Sequence, residues 1–127
     1  MRAHSLPLAS LGATLLLVAC GGSSDTFAPP SGSADSATVS MFPQAFSPPT
    51  LTIRRDGTVT FDFPPSIDHN VIFRKQPGTS QPLVPGTPAD IPPTRNARVA
   101  RTFATAGTFT FDCTIHPGMT AEIVVVP

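Results

Sequence analysis

The run Gly107-Thr108-Phe109-Thr110-Phe111-Asp112-Cys113-Thr114-Ile115-His116-Pro117-Gly118-Met119 joins two kinds of sequence. From Gly107 to Cys113 apolar and polar residues alternate, the period of a half-buried strand. Phe109, Phe111 and Cys113 share one face, so the Cys113 thiol points inward where the strand ends. Pro117 and Gly118 then bend the chain tightly, which can return His116 and Met119 to the sulfur.

The same period of two recurs outward from this run. Val39 and Met41 alternate with Thr38 and Ser40, and Leu51 and Ile53 follow. Asp56-Gly57 is a hairpin-type turn signal. Val59, Phe61 and Phe63 alternate with Thr58, Thr60 and Asp62. His69, Val71 and Phe73 share a parity, and Ile123 and Val125 close the chain. No segment sustains a helical period. Short Thr/Val/Phe-rich strands punctuated by Gly and Pro predict an all-β domain over 37–127, an antiparallel sandwich or barrel. One stretch breaks the rhythm: residues 75–97 hold six prolines and two glycines. It reads as a Pro-rich surface loop crossing between the two sheets. Arg101 shares the parity of Val99 and Phe103, which the pattern leaves unexplained.

Composition narrows the function. The chain has 127 residues, room for one domain, with eight basic and eight acidic side chains and a formal net charge of zero. That balance argues against nucleic acid as a partner. With no Trp or Tyr, nine Phe supply the aromatic core. Two cysteines in very different contexts exclude a disulfide-stapled fold.

The N-terminal segment reads as an address. Arg2 precedes an apolar stretch from Leu6 to Ala19 that is too short to span a bilayer. It ends in Leu17-Val18-Ala19-Cys20-Gly21, which resembles a bacterial lipobox. Residues 1–19 are therefore expected to be a lipoprotein signal peptide, and Cys20 the lipidated first residue of the mature chain. Residues 20–36, rich in Gly, Ser and Pro, form a flexible tether in this reading, a coil of roughly 20–25 Å. The expected location is the bacterial cell envelope, lipid-anchored and facing the periplasm or the cell exterior.

Chemistry concentrates in very few residues. The domain carries His69, His116, Cys113, Met41 and Met119 as its soft or imidazole donors, and three of them fall between Cys113 and Met119. A free thiol outside the cytoplasm oxidises or pairs unless something protects it, and a metal would. A thiolate, two imidazoles and a thioether make the trigonal His₂Cys set with a weak axial Met that marks a blue-copper centre. Asp68 and Asp112 flank these donors but fall on the outward parity. No carboxylate pair, Ser/His/Asp constellation or phosphate-cradling loop is present, so no catalytic residue is expected.

The segment from Gly107 to Met119, with Asp68-His69-Asn70-Val71 upstream, resembles the plastocyanin/azurin family of cupredoxins. Its Cys-x2-His-x2-Met loop is the short version, similar to that of amicyanin. The resemblance spans the folded domain and implies a Greek-key β-sandwich holding one type 1 copper ion. It implies His69, Cys113 and His116 as equatorial ligands and Met119 as axial ligand, with Asn70 bracing the ligand loop against Thr114. The Pro-rich stretch, and Phe63-Pro64-Pro65 where relatives carry a more polar turn, depart from the family pattern.

The function expected is that of a monomeric, membrane-tethered one-electron carrier serving transient redox protein partners. Copper delivery or sequestration is the alternative, disfavoured because such proteins need exchangeable Met- or His-rich sites. Partner docking is expected around Ile115, Pro117 and Gly118, with Pro43, Phe46, Pro48 and Pro49 contributing an apolar collar.

Overall fold

A computed structural model describes residues 34–127. The expected signal peptide, Cys20 and most of the expected tether lie outside the described residues. Eight strands follow one another: β1 (Ala34–Phe42), β2 (Ala45–Ser47), β3 (Thr50–Phe63), β4 (His69–Phe73), β5 (Ile91–Thr94), β6 (Ala97–Phe103), β7 (Gly107–Asp112) and β8 (Thr120–Val126). No helix occurs among the described residues. Among the described residues, β1 already includes Ala34 to Ser36, where Ala34 pairs with Ile53 and Ser36 with Thr58 although side-chain alternation gives no signal there.

Hydrogen bonding runs in the order β2-β1-β3-β8-β7-β4-β5, with β6 on the other side of β3. The long strand β3 serves both layers of the sandwich. Its first half, Thr50 to Arg54, pairs with β8; its second half, Gly57 to Phe63, pairs with β6 and lies along β1. The change of partner falls at Asp56-Gly57. Asp56 is left-handed (φ 66), and any Cβ on Gly57 would stand 2.7 Å from the Arg54 carbonyl oxygen. The dipeptide therefore moves the chain from one layer to the other instead of closing a hairpin between two paired strands. Two pairings, β1–β3 and β3–β8, are parallel within an otherwise antiparallel sandwich.

The core lies between the layers and is built from phenylalanines of the inward parity. Phe111 on β7 meets Phe46 and Phe61 of the opposite layer edge to face, with ring centres 4.8 and 5.6 Å apart. Phe103 on β6 meets Phe73 and Phe109 in the same way. Offset edge contacts of this kind add about 0.5–1.5 kcal/mol each to the burial of the rings. They fix the spacing of the layers beneath the ends of β4 and β7.

The Pro-rich stretch is more ordered than a crossing loop. Lys75 bridges to Pro82, and the chain then returns as edge strand β5 beside β4. Pro92 and Pro93 are tolerated because they fall in a bulge on this edge strand, two residues opposite Asn70 alone between the Ile91–Val71 and Thr94–His69 pairs. The crossing to the other layer occurs only at its end, between β5 and β6. Asp90 anchors the stretch by accepting from the Phe73 N–H at 3.0 Å and pairing with Lys75 at 2.9 Å. Arg101 donates to the carbonyls of Ala89 (2.8 Å) and Asp90 (3.1 Å), which explains its parity among apolar neighbours.

Candidate metal centre

Three elements deliver the donors. β4 opens with His69, which is wholly buried; Cys113 follows β7 directly; Met119 immediately precedes β8. The Cys113 N–H donates to the Met119 carbonyl at 2.9 Å, and the Met119 N–H to the His116 carbonyl at 3.2 Å, closing the ligand loop on itself. Gly118 is left-handed at φ 84, a conformation that favours glycine. The sequence thus ends a strand, turns through Pro117-Gly118 and starts the neighbouring strand within one small loop.

The Cys113 Sγ stands 3.4 Å from His116 Nδ1 and 3.8 Å from His69 Nδ1. The donor atoms of the three residues all lie within 4.8 Å of one another, and the two imidazole rings are 4.6 Å apart. Cys113 and Met119 are 3% and 2% exposed. Burial and the neighbouring His116 push the His69 imidazole below its ordinary range, against the opposing pull of Asp68.

These contacts test the site for a metal. Two ligands bound to one ion at about 2.0 Å (N) and 2.3 Å (S) stand about 3.5–3.7 Å apart at tetrahedral to trigonal angles. The observed separations of 3.4 and 3.8 Å bracket that span. His69 Nε2 is buried with no hydrogen-bond partner, and Nδ1 is the atom turned toward the sulfur. Two imidazoles and a sulfur gathered at one buried point make a donor set that fits a soft cation.

Asn70 and Thr114 meet beside the donors. The Asn70 Nδ2 donates to Thr114 Oγ1 at 2.7 Å, and the Thr114 N–H donates to Asn70 Oδ1 at 2.8 Å. Ile115 is 40% exposed, and Pro117 and Gly118 are exposed beside the partly exposed His116. Pro43, Pro48 and Pro49 are exposed as well. Phe46 is not part of any collar: it is 3% exposed and packs on Phe111, because β2 turns it into the core.

Asp68 and Asp112 face outward as their parity implies, but neither is merely solvated. Asp68 accepts both arms of the Arg95 guanidinium at 2.9 Å, and that bond holds its carboxyl below the usual range. Burial raises the Asp112 carboxyl, yet hydrogen bonds from Arg74 and Thr120 outweigh it and leave the group lowered. The sequence offered no sign of these partners, since Arg95 and Arg74 come close only through strand pairing.

No protein-family model and no curated sequence matches the chain. Solved structures do. The amicyanin of Paracoccus versutus is 26% identical at a TM-score of 0.56, over 72% of this chain and 82% of that one. An amicyanin variant in its reduced Cu(I) form at pH 4 is 27% identical at a TM-score of 0.58, over 76% of this chain and 94% of that one. The copper-containing nitrite reductase of Thermus scotoductus SA-01 is 25% identical at a TM-score of 0.56 over 72% of this chain, which spans only 22% of that enzyme. Set beside these neighbours, the layered fold and the type 1 copper pattern formed by His69, Cys113, His116 and Met119 fit a blue-copper cupredoxin.

Proposed function

We propose that the chain works as a membrane-tethered one-electron carrier between redox partners outside the cytoplasmic membrane. The observation that carries this reading is the convergence of two imidazole Nδ1 atoms on one buried thiol, at 3.4 and 3.8 Å. Copper in such a donor set supplies a Cu(I)/Cu(II) couple at a site whose ligands suit both states. His69, Cys113, His116 and Met119 would hold it.

The chain's own residues favour electron exchange over a bound-substrate reaction. Strand ends and a self-closed loop fix the donors in advance, so little has to move when charge changes. Four protein donors leave no open position for a substrate. The partly exposed His116 is the donor nearest solvent, and Ile115, Pro117 and Gly118 give it an apolar rim. A small apolar rim suits brief encounters, since it excludes water without a large interface. Long-range steering is expected to be weak: among the described residues Asp35, Asp56, Asp62, Asp68, Asp90 and Asp112 each face an Arg or Lys.

Tethering rests on the sequence from Leu17 to Gly21, where Cys20 would carry the lipid. The test of the carrier reading is repeated chemical reduction and oxidation of the copper-loaded chain in the presence of a Cu(I) chelator. A carrier cycles reversibly and keeps its copper. Loss of copper at each reduction would point to delivery.

A further inference from the structure

We infer that Thr94, Arg95 and Asn96, at the end of the Pro-rich stretch, are positioning residues for the ligand His69. The proposal rests on the copper reading of the site and assigns a task to a segment that reading does not use. Three consecutive residues reach three points of the turn that carries His69. Thr94 is the β-ladder partner of His69, Arg95 holds Asp68 through two bonds of 2.9 Å, and the Asn96 N–H donates to the Pro64 carbonyl at 3.0 Å. The turn from Pro64 to His69 is therefore gripped at its start and at its end from one side.

His69 depends on this grip more than the other donors do. β4 pairs with β7 only at Ile72 and Phe73, so that ladder does not reach His69. Its ring has no hydrogen bond at Nε2 to fix its orientation. Ligand imidazoles are ordinarily oriented by such a bond, and loss of an outer partner changes metal affinity by about 10–100-fold. Here the backbone must do the orienting. Asn70 ties it to Thr114 on the ligand-loop side, and residues 94–96 tie it on the edge side. Asn96 adopts a left-handed φ of 50, which turns its N–H back to Pro64 and sends the chain on into β6. The Arg95–Asp68 pair is about half exposed, so its contribution to global stability is small. Its forked geometry fixes direction instead.

The test compares Arg95→Ala with Arg54→Ala, which removes an ion pair to Asp35 far from the donors, in the full chain. Amide exchange is measured on the metal-free chain, and the visible spectrum and chelator-driven copper release on the loaded one. Arg95→Ala is expected to speed exchange at His69 and Asn70 severalfold, shift the balance of the thiolate bands and release copper at least about tenfold faster. Arg54→Ala should change none of these. Unchanged exchange at His69 and Asn70 would overturn the proposal. So would faster exchange with wild-type spectrum and copper release, because the support would then not reach the ligand. Absence of a thiolate band in the wild-type chain would instead refute the copper reading, and exchange on the metal-free chain would still decide whether residues 94–96 hold His69.

Discussion

Asn70 and Thr114, far apart in sequence, exchange two hydrogen bonds: the Asn70 amide donates at 2.7 Å to the Thr114 hydroxyl, and its oxygen accepts at 2.8 Å from the Thr114 N–H. One neighbour of this pair in sequence is His69 and the other is Cys113. The link therefore joins the strand that brings an imidazole to the loop that brings the thiol.

Breaking that link should loosen both ligands at once. Asn70→Ala removes both hydrogen bonds to Thr114, at a cost of about 0.5–1.5 kcal/mol each. The expected result is a lowered thermal midpoint and faster loss of copper to a chelator. Equal midpoints and equal copper release in the variant and the wild type would remove the brace from the account.

Phe111 is the ring on which the two layers meet, touching Phe46, Phe61 and Phe73 edge to face. It also lies two residues before Cys113 on the same face. Phe111→Ala should cost about 3–5 kcal/mol in urea unfolding, through lost burial and the cavity left behind. Phe111→Leu should cost less, since it refills most of that volume. A loss below about 1 kcal/mol for the alanine variant would contradict the packing described.

Ile115 stands 40% exposed beside His116 and has no place in the core. Ile115→Glu should keep the visible spectrum yet slow electron exchange with a natural partner by about tenfold, equivalent to about 1.4 kcal/mol of lost encounter energy. Because six carboxylates among the described residues each sit beside a basic side chain, salt should alter the wild-type rate only mildly. An unaltered rate in the variant, or a change of orders of magnitude with salt, would move the docking surface elsewhere.

Cys20 lies outside the described residues, and its expected lipidation is independent of the copper site. Cys20→Ala should leave copper binding intact and either release the chain from membranes or block its processing. Continued membrane attachment of that variant would refute the anchor.

Much of this architecture is legible from side-chain period alone. The parity of Phe109, Phe111 and Cys113, and of His69, Val71 and Phe73, places every one of them inside, because a half-buried strand exposes alternate residues to different media. What escapes the period is set by partners distant in sequence. Phe46 sits among prolines in a three-residue strand, too short for alternation to say which way it faces. β5 contains Pro92-Pro93, which argues against a strand until its position at an edge is known. Arg101 looks misplaced among apolar neighbours until the carbonyls of Ala89 and Asp90 are found above it. The ligands were readable because their chemistry is rare in this chain. The residues that hold them in place were readable only at Asn70 and Thr114, through family resemblance.

The most direct measurement is the visible spectrum of the Cu(II)-loaded chain, beside those of Cys113→Ser, His69→Ala and Met41→Leu. The expected result is an intense thiolate-to-copper band at about 600 nm with one copper per chain. That band should vanish in the Cys113 and His69 variants and persist in Met41→Leu, whose side chain lies in the core on β1. A colourless Cu(II) form of the wild-type chain, or a band that survives Cys113→Ser, would contradict it.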